Sequence, residues 1–281
     1  HLWYRRQRQM CIRDSPRMKP GSDPPKARWV TDFRRLNSCL KRPVWGAESS
    51  SQVLRHISPE AKYFASFDAT SGFHQIRVDE SSSKLMTIVT QFGTYRYTVL
   101  GQGICSAQDL FNYITDGSTK LEAEFKVLKN IDDFLLYGNT LEDLELQIEK
   151  LMKLCSKINL KLAPSKFVLN TSVKFGGTII SAEKIQNNSV IFLDPPDKRI
   201  LAVTEMEQPK SRKDLQRLTG MISSLRAWFP SVSFAAKSLF GASGNVGAKF
   251  IWTPEMEKDF QKVKHIFTKQ IRLSPFDPKK K

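Results

Sequence analysis

Apolar positions are densest on either side of one charged pair. Phe125, Val127, Leu128 and Ile131 precede Asp132-Asp133, and Phe134, Leu135, Leu136 and Tyr137 follow it. Runs this short, rich in aromatic and β-branched residues, predict two buried strands joined by a turn that carries both carboxylates. Another strand is predicted over Tyr63–Phe67, closed by Asp68 and followed by a turn at Ala69-Thr70-Ser71-Gly72. Between 85 and 100 the pattern alternates about Phe92-Gly93-Thr94, with Met86 and Ile88 before it and Tyr95, Tyr97 and Val99 after, as in a β-hairpin. Val173–Ser181, broken by Gly176-Gly177, predicts a second and tighter hairpin.

Helical spacing appears elsewhere. Ser106 is placed to cap a helix from Ala107 to about Lys120. Leu144, Ile148, Leu151, Cys155 and Ile158 share one helix face, with Thr140 and Asp143 as a capping pattern at its start. Ser211 caps a helix to about Trp228, and Thr253-Pro254 opens another. Ser51–Ile57 reads as a short helix, and the pattern turns helical from Asp194. Arg28–Asn37 reads as a strand bearing three arginines and then a turn. Leu160–Leu162 and Ser165–Val168 are strand-like, while residues 16–27, rich in Pro, Gly and Lys, read as a loop. Residues 241–247 also read as a loop. They lack the Gly-Lys-Ser/Thr ending of a phosphate loop, which excludes a nucleotide-triphosphatase reading.

Charge changes the picture most. Lys+Arg 44 against Asp+Glu 28 leaves a net +16, the balance of a protein that meets a polyanion, with a nucleic acid backbone first among the candidates. A basic soluble protein without such a partner remains the plain alternative. Cys11, Cys39, Cys105 and Cys155 show no C-x-x-C spacing, and the four histidines are scattered. Neither a zinc site nor a disulfide framework is indicated, which places the chain in a reducing, intracellular compartment. No apolar run reaches the roughly 20 residues that span a bilayer, so no membrane partner is expected.

Against that basic background the acidic positions stand out. Charge between buried strands is paired or holds a cation, and carboxylate oxygens are the hard ligands that Mg²⁺ prefers. Asp-Asp is also common in plain surface turns. Asp68 is a third carboxylate in a matching context, at a strand end before a small-residue turn whose N–H groups can face a phosphate. His74 reads as a packed or hydrogen-bonded histidine, not a ligand. Gly101-Gln102-Gly103 permits close backbone approach to a ligand, with an ordinary loop as the default.

Taken in order, Arg28…Asp32-Phe33-Arg34…Leu36-Asn37, Phe67-Asp68…Gly72-Phe73-His74-Gln75-Ile76, Val99-Leu100-Gly101-Gln102-Gly103…Ser106-Ala107, Ile131-Asp132-Asp133 and Val173…Phe175-Gly176-Gly177…Ile180-Ser181 resemble the motif series of reverse transcriptases. The resemblance is strongest to long-terminal-repeat retrotransposons of the Gypsy type and their retroviral relatives. It covers about residues 16 to 181 and continues more weakly to about 278. It implies an α/β (α+β) right-hand polymerase fold of fingers, palm and thumb, the palm an antiparallel sheet backed by helices. Residues 1–15 would then be a non-native leader, 16–62 partial fingers, 63–181 the palm with part of the fingers, 182–240 thumb-like helices, and 241–281 the start of a connection or ribonuclease H region cut short.

Carried over by position, the resemblance makes Asp68, Asp132 and Asp133 the catalytic and metal-binding triad for two Mg²⁺ ions, with Mn²⁺ as an alternative. Two such ions roughly 3.5–4 Å apart activate a primer 3′-hydroxyl and stabilise the leaving pyrophosphate. Arg28, Phe73, Gln102 and Lys166 would meet the incoming dNTP, Phe73 as the steric gate against a ribose 2′-hydroxyl. Phe175, Gly176 and Gly177 would grip the primer. The implied partners are an RNA or DNA template–primer and dNTPs. Protease, ribonuclease H and integrase domains would adjoin in a polyprotein, in the cytoplasm, in virus-like particles or in the nucleus.

Several positions depart from that pattern. Asn130 stands where Tyr is usual, Gly101 and Gln108 where Pro is frequent, and Gly176 where a larger apolar residue is usual. The first fingers strand, upstream of Arg28, is expected to be missing or replaced by residues 1–15. Two functions follow: RNA-directed DNA polymerase, or a catalytically silent element whose basic cleft still binds nucleic acid.

Overall fold

A computed structural model describes residues 15–18, 27–43, 45, 50–119, 127–185, 188–244, 250–269 and 271–275. The expected leader therefore lies outside the described residues up to position 14. The chain divides into two compact units: residues 1–48, 67–134 and 146–167 in the first, residues 49–66, 135–145 and 168–281 in the second.

The central sheet holds β3 (Tyr63–Asp68), β6 (Val127–Asn130), β7 (Asp133–Gly138) and β8 (Val168–Asn170) in the order β6-β7-β3-β8. Phe64, Ala65, Phe134, Leu135 and Leu136 are buried along it, which is why continuous apolar runs, not alternating ones, mark its middle strands. Asp133 was expected in the turn with Asp132. It opens β7 instead, and Ile131-Asp132 alone make the turn.

In the first unit, β1 (Ser15–Met18) pairs antiparallel with β2 (Ala27–Val30), placing Arg17 opposite Arg28. A strand upstream of Arg28 is thus present where a loop was expected. Residues 34–37 form a short helix, not a turn, because the Asp32 carboxylate accepts the Arg34 backbone N–H at 3.0 Å. The same carboxylate takes the Arg34 guanidinium, which holds its pKa down at about 2. β4 (Thr87–Thr90) and β5 (Gly93–Arg96) make the expected hairpin, and the helix after Ser106 runs Ala107–Thr119. Phe33, Met86, Leu100, Ile104 and Ala107 form a buried cluster of this unit.

In the second unit, β9 (Ser172–Phe175), β10 (Thr178–Ile185) and β11 (Asn188–Asp194) form an antiparallel sheet in the order β11-β10-β9. β11 escaped the sequence reading because Val190–Leu193 is a short apolar run without alternation; pairing with β10 makes it a strand. Helices at Asp197–Thr204, Arg212–Leu225, Lys237–Gly244 and Pro254–Phe267 follow. Ser211 caps the second of these and Thr253 the last, as their sequences predict. Residues 241–244 are helical where a loop was expected, because burial of Leu239 seats that helix in the cluster of Leu218, Ile222, Phe229, Phe260 and Val263 despite two glycines. The helix Leu141–Lys157 starts where Thr140 accepts the Asp143 N–H. In the first unit, Ser165 and Lys166 lie in the one-turn 3₁₀ helix Pro164–Lys166, not in a strand. Among the described residues no helix is long and apolar enough to cross a membrane.

Candidate active site

Backbone hydrogen bonds gather the site from three distant segments of the first unit. Ala69 N–H donates to the Asp132 carbonyl at 2.8 Å, Ala163 N–H to the Asp68 carbonyl at 2.8 Å, and Thr70 N–H to the Lys161 carbonyl at 2.9 Å. The Gln75 amide reinforces this lacing. Its Nε2 donates to the Thr70 carbonyl at 2.7 Å and the Lys161 carbonyl at 2.9 Å, and its Oε1 accepts the Lys161 N–H at 2.7 Å. Sequence reasoning gave Gln75 no role, since nothing local marks a partner 86 residues away. Lys129, just before the acidic turn, was likewise missed. Its ammonium lies 2.6 Å from Asp116 Oδ1 and also meets Thr115 Oγ1, while Trp45 Nε1 donates to Asp116 Oδ2 at 2.8 Å. These contacts anchor β6 to the helix Ala107–Thr119. At the turn itself Ile131 has φ +60°, a region a β-branched side chain rarely enters. Strain of this kind costs about 1–3 kcal/mol and persists only where the surroundings enforce it.

Two of the three predicted carboxylates, Asp68 and Asp133, are in contact, and Asp132 is exposed beside them. Burial, and then the charges of Asp132 and Asp68, push the Asp133 carboxyl up to about 6, and its side chain reaches Asp68. Lys166 answers part of this negative charge, its Nζ standing 2.6 Å from Asp68 Oδ1. With Lys166 half-exposed, such a pair is worth about 1 kcal/mol or less, so releasing it is inexpensive. Oxygen-only donors with unbalanced negative charge fit a divalent cation. As described, no group of three His, Cys, Asp or Glu side chains among the described residues stands ready around one point. A cation held there by Asp68 and Asp133 would compete with Lys166 for Asp68.

The raised Asp133 carboxyl has a measurable consequence in metal-free protein. A group held above its ordinary 3.8 favours the folded state while protonated, and that contribution is lost as pH rises toward its folded value of about 6. Asp133→Asn removes the loss. The variant is therefore expected to gain thermal stability over the parent progressively between about pH 4 and about pH 6, and a pH-independent difference in Tm would contradict the assignment.

The residues predicted for the nucleotide are also placed. Phe73 is half-buried and meets Phe111 edge-on, ring centroids 5.8 Å apart. Gln102 is exposed in the loop after Leu100. Arg28 lies on β2, and its side chain is outside the described residues. Gly101, a departure from the expected pattern, has a direct reason: a Cβ there would fall 2.8 Å from the Phe33 ring, which is buried.

In the second unit, Phe175 is buried and Gly176 and Gly177 make the β9–β10 turn at φ +55° and +83°. Glycine is the residue that adopts both readily. The Arg199 guanidinium lies over Gly177, where a Cβ would come within 3.0 Å of it.

The model of the family described as reverse transcriptase (RNA-dependent DNA polymerase) matches residues 17–180. The retrovirus-related Pol polyprotein from transposon opus of Drosophila melanogaster is 30% identical over 213 residues, covering 75% of this chain and 20% of that polyprotein. The transposon Tf2-3 polyprotein of Schizosaccharomyces pombe is 25% identical over 255 residues, 90% of this chain and 18% of that polyprotein. The chain thus spans about a fifth of the length of these relatives. The foamy viral protease-reverse transcriptase in complex with RNA/DNA hybrid superposes with a TM-score of 0.74 at 20% identity, over 95% of this chain and 35% of that one. The same enzyme in complex with dsDNA gives 0.75 at 21% identity, over 96% and 54%.

Proposed function

The chain belongs to the reverse transcriptase family and has its right-hand polymerase fold, and on that premise we propose that it is the RNA-directed DNA polymerase domain of a Gypsy-type long-terminal-repeat retrotransposon polyprotein. The single observation that supports this best is the contact of the Asp133 carboxyl with Asp68, which also pairs with Lys166, residues far apart in the chain.

In this reading Asp68, Asp132 and Asp133 hold two Mg²⁺ ions. Those ions, when bound, supply the charge that activates the primer 3′-hydroxyl and stabilises the departing pyrophosphate. The chain's own groups do the rest. Lys166, once released from Asp68, offers its ammonium to the triphosphate. Phe73 closes the sugar side of the pocket, and Gln102 and Arg28 complete it. The Phe175–Gly177 turn holds the primer end, and the net +16 charge attracts the template–primer backbone. The relatives are polyproteins, which supports a setting within a larger polyprotein, where protease, ribonuclease H and integrase domains would adjoin.

The test is primer extension on an RNA template with dNTPs and Mg²⁺, using the whole chain. Extension that stops on chelation of the metal is expected. Tight, salt-sensitive binding of template–primer without any extension would favour the silent nucleic-acid-binding reading instead.

A further inference from the structure

The loop that carries Gln102 is held from outside by one side chain. Asn37, the last residue of the short helix at 34–37, directs both ends of its amide at that loop. Its Nδ2 donates to the Gly103 carbonyl at 2.8 Å, and its Oδ1 accepts the Cys105 N–H at 2.9 Å. These two bonds bracket Ile104, itself buried. Two further features make the loop a fixed object. The Phe33 ring fills the space beside Gly101. Gly103 sits at φ +100°, with the Thr31 carbonyl and the Phe33 ring beside its α-carbon. The Thr31 hydroxyl in turn meets the Tyr97 hydroxyl at 2.7 Å. The one polar side chain that the loop leaves outward is Gln102, which is exposed and hydrogen-bonds to none of the described residues. A rigid main chain presenting an unengaged amide is built to meet something that arrives.

We propose that Asn37 is a positioning residue for nucleotide selection: by fixing the main chain at Gly103 and Cys105 it sets where the Gln102 amide stands for the incoming dNTP. The inference rests on the reading that Gln102 lines the nucleotide pocket. An amide suits the task because it supplies one donor arm and one acceptor arm in a single plane. Aspartate keeps the acceptor but sets a carboxylate against the Gly103 carbonyl. Alanine keeps neither. Asn37 itself touches no reacting atom. Its loss is expected in the affinity for nucleotide, not in the chemical step.

Single-nucleotide incorporation by the whole chain tests this, with KM for dNTP and kcat measured separately for the parent, Asn37→Ala, Asn37→Asp, Gln102→Ala and the Asn37→Ala/Gln102→Ala pair. Loss of two hydrogen bonds that hold the loop is expected to raise KM about tenfold, with kcat affected much less. The double variant is expected to be no worse than Gln102→Ala alone, because both substitutions remove the same presented amide. Asn37→Asp, which preserves volume, guards against a variant that fails to fold and is expected to raise KM likewise. A Gln102→Ala effect with no effect of either Asn37 substitution overturns the positioning role, as does full additivity in the pair. A Gln102→Ala variant with the parent's KM, or a parent that incorporates nothing, overturns the pocket reading beneath it.

Discussion

Asp132→Asn is expected to lower primer extension by roughly a thousandfold or more, while binding of template–primer stays within about twofold. Asparagine matches aspartate in shape, and the bond that holds the turn in place, from Ala69 N–H to the Asp132 carbonyl, is main-chain and survives. What disappears is one negative charge and one hard oxygen ligand from a cluster already short of positive charge. The removed charge is also one of the causes that hold Asp133 high, so the Asp133 carboxyl should fall back toward its ordinary range in the variant. Duplex affinity comes from the basic excess of the whole chain, +16, which one exposed carboxylate barely alters. Extension assays beside anisotropy measurements of labelled template–primer separate the two effects. Equal extension by variant and parent would sink the two-metal assignment.

Phe73→Val is expected to raise the use of ribonucleotides relative to deoxyribonucleotides by about a hundredfold, since a clash against the unwanted sugar is removed while the contacts to the wanted one change little. The reason lies in how firmly the ring is held. Phe73 follows Gly72, whose α-carbon lies so close to Phe111 that a Cβ would come within 3.0 Å of that ring. The Phe73 ring meets Phe111 edge-on and packs against the cluster of Phe33, Leu100 and Ile104. On the proposed reading, a ring held by these contacts stands against the 2′-hydroxyl. Valine leaves part of the space empty and costs about 1–3 kcal/mol of stability, a loss visible in Tm but separable from selectivity. The ratio of kcat/KM for rNTP to that for dNTP is the measurement. An unchanged ratio removes Phe73 from the sugar side of the pocket.

The backbone around these residues shows where reading along the chain succeeds. Asp68 was legible because a charged residue closing an apolar strand is rare without a partner or a cation. The turn at Asp132 was legible because short apolar runs rich in aromatic and β-branched residues on either side read as buried strands, although Asp133 opens the second of them. Caps at Ser211 and Thr253 are local chemistry between neighbours, and both stand where the sequence puts them. The short helix at 34–37 was missed because it depends on one side-chain bond, from Asp32 to the Arg34 N–H, that outweighs a weak propensity. The helical ending at 241–244 was missed because burial of Leu239 overrides two glycines.

By itself the sequence determined the strand closed by Asp68, the turn at Asp132 and the net charge of +16, since each depends on side chains close together in the chain or on their sum, while the fold class followed from the resemblance of its ordered motifs. Only the tertiary structure decided how the site is held. It showed that Lys166 pairs with Asp68, that Gln75 fastens the Lys161 segment to the Asp68 turn, and that Asn37 secures the loop of Gln102. These are single amides or ammonium groups meeting backbone or charge many residues away. Hydrogen bonds of that kind leave no periodic trace in the chain, because their geometry exists only once the strands have packed.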